Sequence, residues 1–272
     1  MTEWPARVLL VGAGKMGGAL AQGWLDAGLP ASTLAILEPH PSPGIVALAQ
    51  KRGVALNPEG ARPAPEVIVL AVKPQALDSV APEIAPLTEG GGLVLSILAG
   101  KTVANLLARF PRARAVVRAM PNTPAAIGRG VTAAVANAAV SADERRWCER
   151  LLGAVGAFHW LSDEAEIDAV TAISGSGPAY VFALTEALAA AAAALGLPAE
   201  LSMSLARRTV EGAAELMTRE RATSPAMLRR SVTSPGGTTA AALAVLQAPG
   251  GLEDLMIRAT AAARARAAEM AG

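Results

Sequence analysis

Val8-Leu9-Leu10-Val11-Gly12-Ala13-Gly14-Lys15-Met16-Gly17 is the stretch from which the rest of the chain can be read. An unbroken apolar run leads straight into a Gly-x-Gly-x-x-Gly spacing, and a helix-compatible segment follows at once. A short continuous apolar run bounded by glycine reads as a strand buried on both faces, as in a parallel sheet flanked by helices. In that context each glycine has its own task. Gly12 permits a tight turn, Gly14 lets backbone approach a pyrophosphate, and Gly17 lets helix and strand pack closely. Lys15 and Met16 open the helix, whose free N–H groups and positive dipole end suit a phosphate. The plain alternative is a glycine turn without a ligand; the position between strand and helix favours a dinucleotide.

Working outward, further short runs rich in Val, Leu and Ile recur at Leu34 to Leu37, Val67 to Val72, Leu93 to Leu98 and Ala115 to Val117, each separated by a helical stretch. This alternation predicts βαβ units and a parallel sheet. Val131 to Ala136 and Gly156 to Leu161 read as added strands at the sheet edge. After about residue 163, long Ala/Leu/Met/Glu/Arg segments take over. One helix is expected from Pro178 to about Leu195 and another from Pro198 to about Arg219, with shorter helices after the polar turn at Ser234 to Thr239. The expected fold is an α/β N-terminal Rossmann domain with a parallel sheet core, residues 1–162, followed by an all-α dimerisation and substrate domain, residues 163–272. Glu38 ends the second strand, where an acidic side chain accepts hydrogen bonds from the adenosine ribose hydroxyls and repels a 2′-phosphate. It leans the cofactor choice, NADPH or NADH, toward NADH. A solvated strand end is the alternative reading of Glu38.

Composition removes other classes of function. The chain has 272 residues, 24 Lys and Arg against 23 Asp and Glu, and 3% aromatic residues, so it shows neither the basic patch nor the stacking surface that nucleic acid requires. The most apolar stretch, Ala187 to Leu197, falls short of the roughly 20 residues that span a bilayer, so no membrane segment is expected. Met1-Thr2-Glu3-Trp4-Pro5 lacks the basic and small-residue marks of a signal peptide, and Cys148 is the one cysteine. A cytoplasmic protein without disulfide or metal site is expected. His40 and His159 stand outside any motif and are assigned no acid or base role.

Ala71-Val72-Lys73-Pro74-Gln75, Met120-Pro121-Asn122-Thr123-Pro124, Gly175-Ser176-Gly177-Pro178-Ala179-Tyr180 and, above all, Val232-Thr233-Ser234-Pro235-Gly236-Gly237-Thr238-Thr239 carry a resemblance. With the glycine loop, and in this order, they make the chain similar to pyrroline-5-carboxylate reductases over nearly its whole length. The resemblance implies reduction of Δ1-pyrroline-5-carboxylate to L-proline by NAD(P)H, the last step of proline biosynthesis, in a homodimer that can assemble into a decamer, with an active site shared between the domains. It also implies site residues. Ser234 by its side chain and Gly237 and Thr238 by backbone would take the substrate carboxylate. Thr239 would act as the catalytic group by holding the ring nitrogen through its hydroxyl. Ser176, with Ser174, would line the pocket, while Ala71, Val72, Lys73, Pro74 and Asn122 would border the cofactor. The residues permit blander readings too: a glycine turn with a threonine helix cap, a solvated lysine, a proline-flanked turn, close helix packing.

The chain departs from the family at Thr233, where many members carry Cys, and at Ser224-Pro225, where many carry His-Pro. Ala222 stands where many have a glutamate, with Glu220 close by. Competing functions are a reductase of another small cyclic imine or β-hydroxy acid, and a non-catalytic dinucleotide-binding regulator. The first is disfavoured because Tyr180 to Leu195 contains no lysine. The second gives the Ser-Pro-Gly-Gly-Thr-Thr segment no purpose.

Overall fold

The computed structural model describes residues 4–59 and 64–271; residues 1–3 and 60–63, inside the expected first domain, and residue 272 lie outside the described residues. A single sheet of eight strands runs β1 (Val8–Val11), β2 (Leu34–Leu37), β3 (Ala55–Leu56), β4 (Val67–Leu70), β5 (Leu93–Ser96), β6 (Val116–Met120), β7 (Gly130–Ala136) and β8 (Gly156–Trp160). Their spatial order is β3-β2-β1-β4-β5-β6-β7-β8. Neighbours from β3 through β6 are parallel, β7 runs antiparallel to β6, and β8 is parallel to β7. The α/β fold expected from the sequence is present, with an antiparallel step near one edge.

Alternation along the strands fills two layers. Val8 and Leu10 of β1, Val67 and Val69 of β4, and Leu93 and Leu95 of β5 face one side. They pack there against α1 (Lys15–Asp26), α2 (Pro43–Arg52) and α5 (Ala142–Gly153) through Leu20, Trp24, Ile45, Leu151 and Leu152. Leu9, Val11, Ile68, Leu70 and Val94 face the other side, against α3 (Leu77–Ile84) and α4 (Val103–Arg109). Period-two strands with both faces covered explain why the runs read as continuously apolar. Burying each large side chain stabilises the fold by about 1.5–3 kcal/mol. The Trp24 Nε1 donates to the Leu151 carbonyl at 2.8 Å, tying α1 to α5 without leaving a buried donor unpaired.

Strand ends differ from the sequence reading in instructive places. Val67 to Val72 stops at Leu70, and Leu93 to Leu98 stops at Ser96. The run expected at Ala115 to Val117 continues to Met120. Arg118 masked that continuation, because a charge in mid-strand argues against burial. It is nevertheless only 4% exposed, with Glu164 at 2.9 Å and Asp168 at 3.7 Å. β3 was not anticipated; it is too short to show a period.

The chain forms two compact units, Met1–Ser176 with Ala263–Gly272, and Gly177–Ala262. The composition change at residue 163 thus precedes the change in contacts. Glu164 and Asp168 hold the segment carrying α6 (Glu166–Val170) and the following π turn (Thr171–Gly175) to β6. The second unit contains α7 (Gly177–Ala194), α8 (Ala199–Arg219), α9 (Pro225–Ser231), α10 (Thr238–Leu246) and most of α11 (Leu252–Ala271). The first two of these fall where the Pro178 and Pro198 signals put them.

The helical stretch Glu166–Ala194 is longer than the Ala187 to Leu197 segment weighed from the sequence. It is long and apolar enough to cross a membrane by length and composition, and little of that window is buried within the chain. Ala187 to Leu197 covers only the end of that stretch, which adds the apolar residues of α6, the π turn and most of α7. Apolar side chains on this unit face outward, including Phe182, Leu184 and Ile257. So much uncovered apolar surface is costly in water and calls for a partner surface. Purified protein at micromolar concentration is expected to scatter light as a species of at least twice the 27.5 kDa chain mass, and Phe182→Asp is expected to weaken that assembly. A 27.5 kDa particle for the unaltered chain would contradict this.

Candidate functional site

β1 lies inside the sheet. The chain leaves it for β2 and β3 on one side, then returns to β4 on the other. Strand order reverses between β1 and β4, and ligands of open α/β sheets bind beyond the carboxyl ends of strands at such a point. A cavity of about 810 Å³ lies there, lined by Gly12, Gly14, Glu38, Ala71, Val72 and Lys73 among others.

Backbone contacts build its floor. The Gly12 N–H donates to the Leu37 carbonyl at 2.8 Å, and the Ala71 N–H to the Val11 carbonyl at 2.8 Å. Gly12 takes φ +92°, and a Cβ on it would come within 2.8 Å of the Ala71–Val72 peptide. A Cβ on Gly17 would stand 2.2 Å from the Gly12 carbonyl oxygen, so close packing of helix on turn demands glycine here. Gly14 is different: a Cβ there meets nothing within 4 Å. The space beside it is a cradle that a ligand can fill. Gly14 also caps α1 without any side-chain hydrogen bond, leaving the N–H groups of Lys15, Met16 and Gly17 without helical acceptors. These features fit a pyrophosphate held on backbone donors.

The other expected cofactor residues divide. Lys73 is exposed on the cavity wall, where its ammonium can reach a ligand. Pro74 starts the short 3₁₀ turn behind it. The Met16 side chain is half-buried and packs against the core. Asn122 is buried, with its Nδ2 donating to the Ser174 carbonyl at 3.1 Å and its Oδ1 accepting from the Val131 N–H at 2.9 Å. Its amide thus joins the loop after β6 to the π turn, next to Ser176. Glu38 is half-buried. Its Oε2 accepts from the Ala13 N–H at 2.9 Å and its Oε1 from the His40 N–H at 3.1 Å.

In the second unit, Ser234 to Thr239 forms a turn leading into α10. Gly236 takes φ +71°, and the Gly237 N–H donates to the Ser234 carbonyl at 3.0 Å. Gly237, expected to offer its N–H to a carboxylate, already uses it in this turn. Donors left over at the helix start are those of Thr238, Thr239 and Ala240, since Ala241 is the first to bond back, to the Gly237 carbonyl. The threonine-cap alternative does not hold: the capping residue is Gly237, and no side chain accepts from the first turn. Among the described residues no hydrogen bond engages the hydroxyls of Ser234, Thr238 or Thr239. Thr233 instead donates its hydroxyl to the Arg229 carbonyl at 2.6 Å, and Ser224 caps α9 through the Met227 N–H. Burial pushes the Cys148 thiol far up and Glu144 adds to it, so thiolate chemistry is closed to that residue. Among the described residues no group of three His, Cys, Asp or Glu side chains stands ready for a metal ion.

A family model described as pyrroline-5-carboxylate reductase dimerisation matches residues 164–270, and one described as NADP oxidoreductase coenzyme F420-dependent matches residues 7–100. A curated pyrroline-5-carboxylate reductase of Pseudomonas aeruginosa is 43% identical, with 97% of each chain covered. The chain belongs to the pyrroline-5-carboxylate reductase family. The solved structure of a pyrroline-5-carboxylate reductase from Coxiella burnetii superposes with a TM-score of 0.89 at 35% identity, covering 98% of this chain and 99% of that one. That of Plasmodium falciparum pyrroline carboxylate reductase with NADP bound gives 0.80 at 28% identity, covering 98% of each.

Asn57, Ser79 and Glu83 also line the cavity beside Gly14, from short or helical segments that carry no glycine signature in the sequence. Asn57 had one mark, its residue type, since Asn tolerates the left-handed region better than most side chains; the following Pro58 argues the other way.

The three glycines should respond differently to substitution. Gly14→Val has room, so the fold should persist while dinucleotide affinity, measured by fluorescence titration, falls about tenfold or more. Gly17→Ala forces a clash with backbone and should lower stability by about 1–3 kcal/mol in a denaturant titration.

Proposed function

We propose that this chain reduces Δ1-pyrroline-5-carboxylate to L-proline with a reduced nicotinamide dinucleotide, the last step of proline biosynthesis. The observation that carries this reading for the chain's own residues is the start of α10, where free backbone donors and unengaged hydroxyls gather at a helix N-terminus without a side-chain cap. Such a start suits a small carboxylate. Ser234 through its hydroxyl and Thr238 through its N–H hold the substrate carboxylate. Gly237 shapes the turn that presents them. The Thr239 hydroxyl oxygen accepts from the protonated ring nitrogen, and Ser176 lines the pocket.

When bound, the nicotinamide supplies the hydride that adds to the imine carbon. The electron pair of the carbon–nitrogen double bond then passes to a nitrogen already carrying its proton, so no side chain need deliver one. Neither histidine is given a role. Positioning of this kind is worth up to about 7–11 kcal/mol in well-oriented intramolecular cases. Lys15, Met16 and Gly17 hold the pyrophosphate by backbone in the space beside Gly14, Gly12 makes the tight turn that presents them, and Ala71, Val72, Lys73 and Pro74 border the cofactor. Asn122 holds the adjoining loop in place.

Glu38 tilts the choice toward NADH. Its carboxylate faces the position of the adenosine ribose, where it accepts from hydroxyls and repels a 2′-phosphate. The outward apolar side chains of the second unit meet a second copy of the chain rather than lipid or nucleic acid. Dimers of this kind can assemble further into a decamer, in the cytoplasm.

Steady-state oxidation of NADH and of NADPH with pyrroline-5-carboxylate tests the activity and the preference together. Turnover with proline as product is expected, and no turnover with either cofactor refutes the activity. Thr239→Val keeps shape and removes the hydroxyl. Loss of a hydrogen bond to a charged group costs about 1.5–3 kcal/mol, so kcat/KM for the imino acid should fall about ten- to more than a hundredfold, with cofactor affinity retained. Unaltered turnover in that variant would remove Thr239 from catalysis.

A further inference from the structure

Among the described residues, Asn57 is the one non-glycine residue with a positive φ, at 46°. That region is disfavoured for any side chain, and Asn enters it when its amide gains something in return. Here the gain is a clamp on a single neighbour. The Asn57 Oδ1 accepts from the Glu38 N–H at 2.8 Å, and its Nδ2 donates to the Glu38 carbonyl at 2.7 Å. Its own N–H is tied to the Ile36 carbonyl at 2.8 Å, so the clamp is anchored to β2 itself. Glu38 is therefore fixed from two directions: backbone by Asn57, carboxylate by the Ala13 and His40 N–H groups. Both residues line the dinucleotide cavity.

We infer that Asn57 is the positioning residue of cofactor selectivity, holding the end of β2 so that the Glu38 carboxylate stays at the ribose position and discriminates NADH from NADPH. This rests on the reading of Glu38 given above. A carboxylate on a mobile strand end could turn to solvent as a 2′-phosphate arrives, giving up both its hydrogen bonds and its repulsion. Held in place it can do neither. Discrimination built on an unfavourable contact requires that the contact be hard to escape.

The test uses the full-length enzyme and the ratio of kcat/KM for NADH to that for NADPH. Asn57→Gly keeps the left-handed backbone available and deletes only the amide clamp. The ratio should drop about fivefold in Asn57→Gly and by more in Glu38→Gln, and Asn57→Gly should add little on the Glu38→Gln background, as expected for residues acting as one unit. A purely structural role would lower both cofactors' kcat/KM in parallel and leave the ratio fixed, which overturns the inference. So does an Asn57→Gly effect that persists undiminished without the Glu38 carboxylate. A ratio that stays put in Glu38→Gln itself overturns the underlying reading of Glu38, and the positioning role with it. A ratio that moves in Glu38→Gln but not in Asn57→Gly overturns the positioning role alone.

Discussion

The first unit depends on one missing atom. A Cβ on Gly17 would sit 2.2 Å from the Gly12 carbonyl oxygen, so only glycine lets α1 start where β1 ends. Because α1 starts there, its free N–H groups stand at the carboxyl edge of the sheet, beside the point where strand order reverses. The same closeness recurs between Gly12 and the Ala71–Val72 peptide. Loops after β1, β2 and β4 are thereby held to one another through backbone, by Gly12 to Leu37 and Ala71 to Val11, largely independent of side-chain identity. A side-chain network could drift with each substitution; a backbone one keeps the cavity's shape while Glu38, Lys73 and Glu83 bring charge to its lining.

What could be read from sequence was what periodicity and glycine spacing encode. β2 was located to the residue, and α7 and α8 to within one or two, because apolar runs and prolines mark them. The Ser234 to Thr239 turn was legible as an anion nest, yet which of its N–H groups remain free was not. That depends on the Gly237 to Ser234 bond, a property of the folded turn. Asn122 looked like a loop residue near a ligand because it stands between prolines. Only the fold shows its amide engaged with Ser174 on one side and Val131 on the other.

Arg118 illustrates a deeper limit. A charged residue in a strand is taken as solvated, since charges are rarely buried unless paired. Its partners lie at Glu164 and Asp168, far along the chain, on a segment whose composition already looks like the helical half. One buried cation thus concealed both the length of β6 and the way residues up to Ser176 adhere to the sheet unit. Either carboxylate alone can still pair with Arg118, whereas losing Arg118 would leave the two carboxylates without their cation.

Helix starts show how the same physics is put to structural and chemical use. α2, α4, α5 and α9 begin at Ser42, Thr102, Ser141 and Ser224, whose hydroxyls accept from first-turn N–H groups. Their orphan donors are partly satisfied inside the chain. α1 and α10 begin at Gly14 and Gly237, with no side-chain acceptor. A glycine in place of a hydroxyl cap costs a helix only about a few tenths of a kcal/mol, so these starts can stay open to an outside anion at little expense in stability. Gly14 faces open space and Gly237 leads a turn with idle hydroxyls, which is the arrangement that leaves room for an outside acceptor. One such start lies at the cavity beyond the sheet and the other at the turn proposed for the substrate carboxylate. Both starts thus offer an anion backbone charge that does not titrate, independent of the protonation of any side chain.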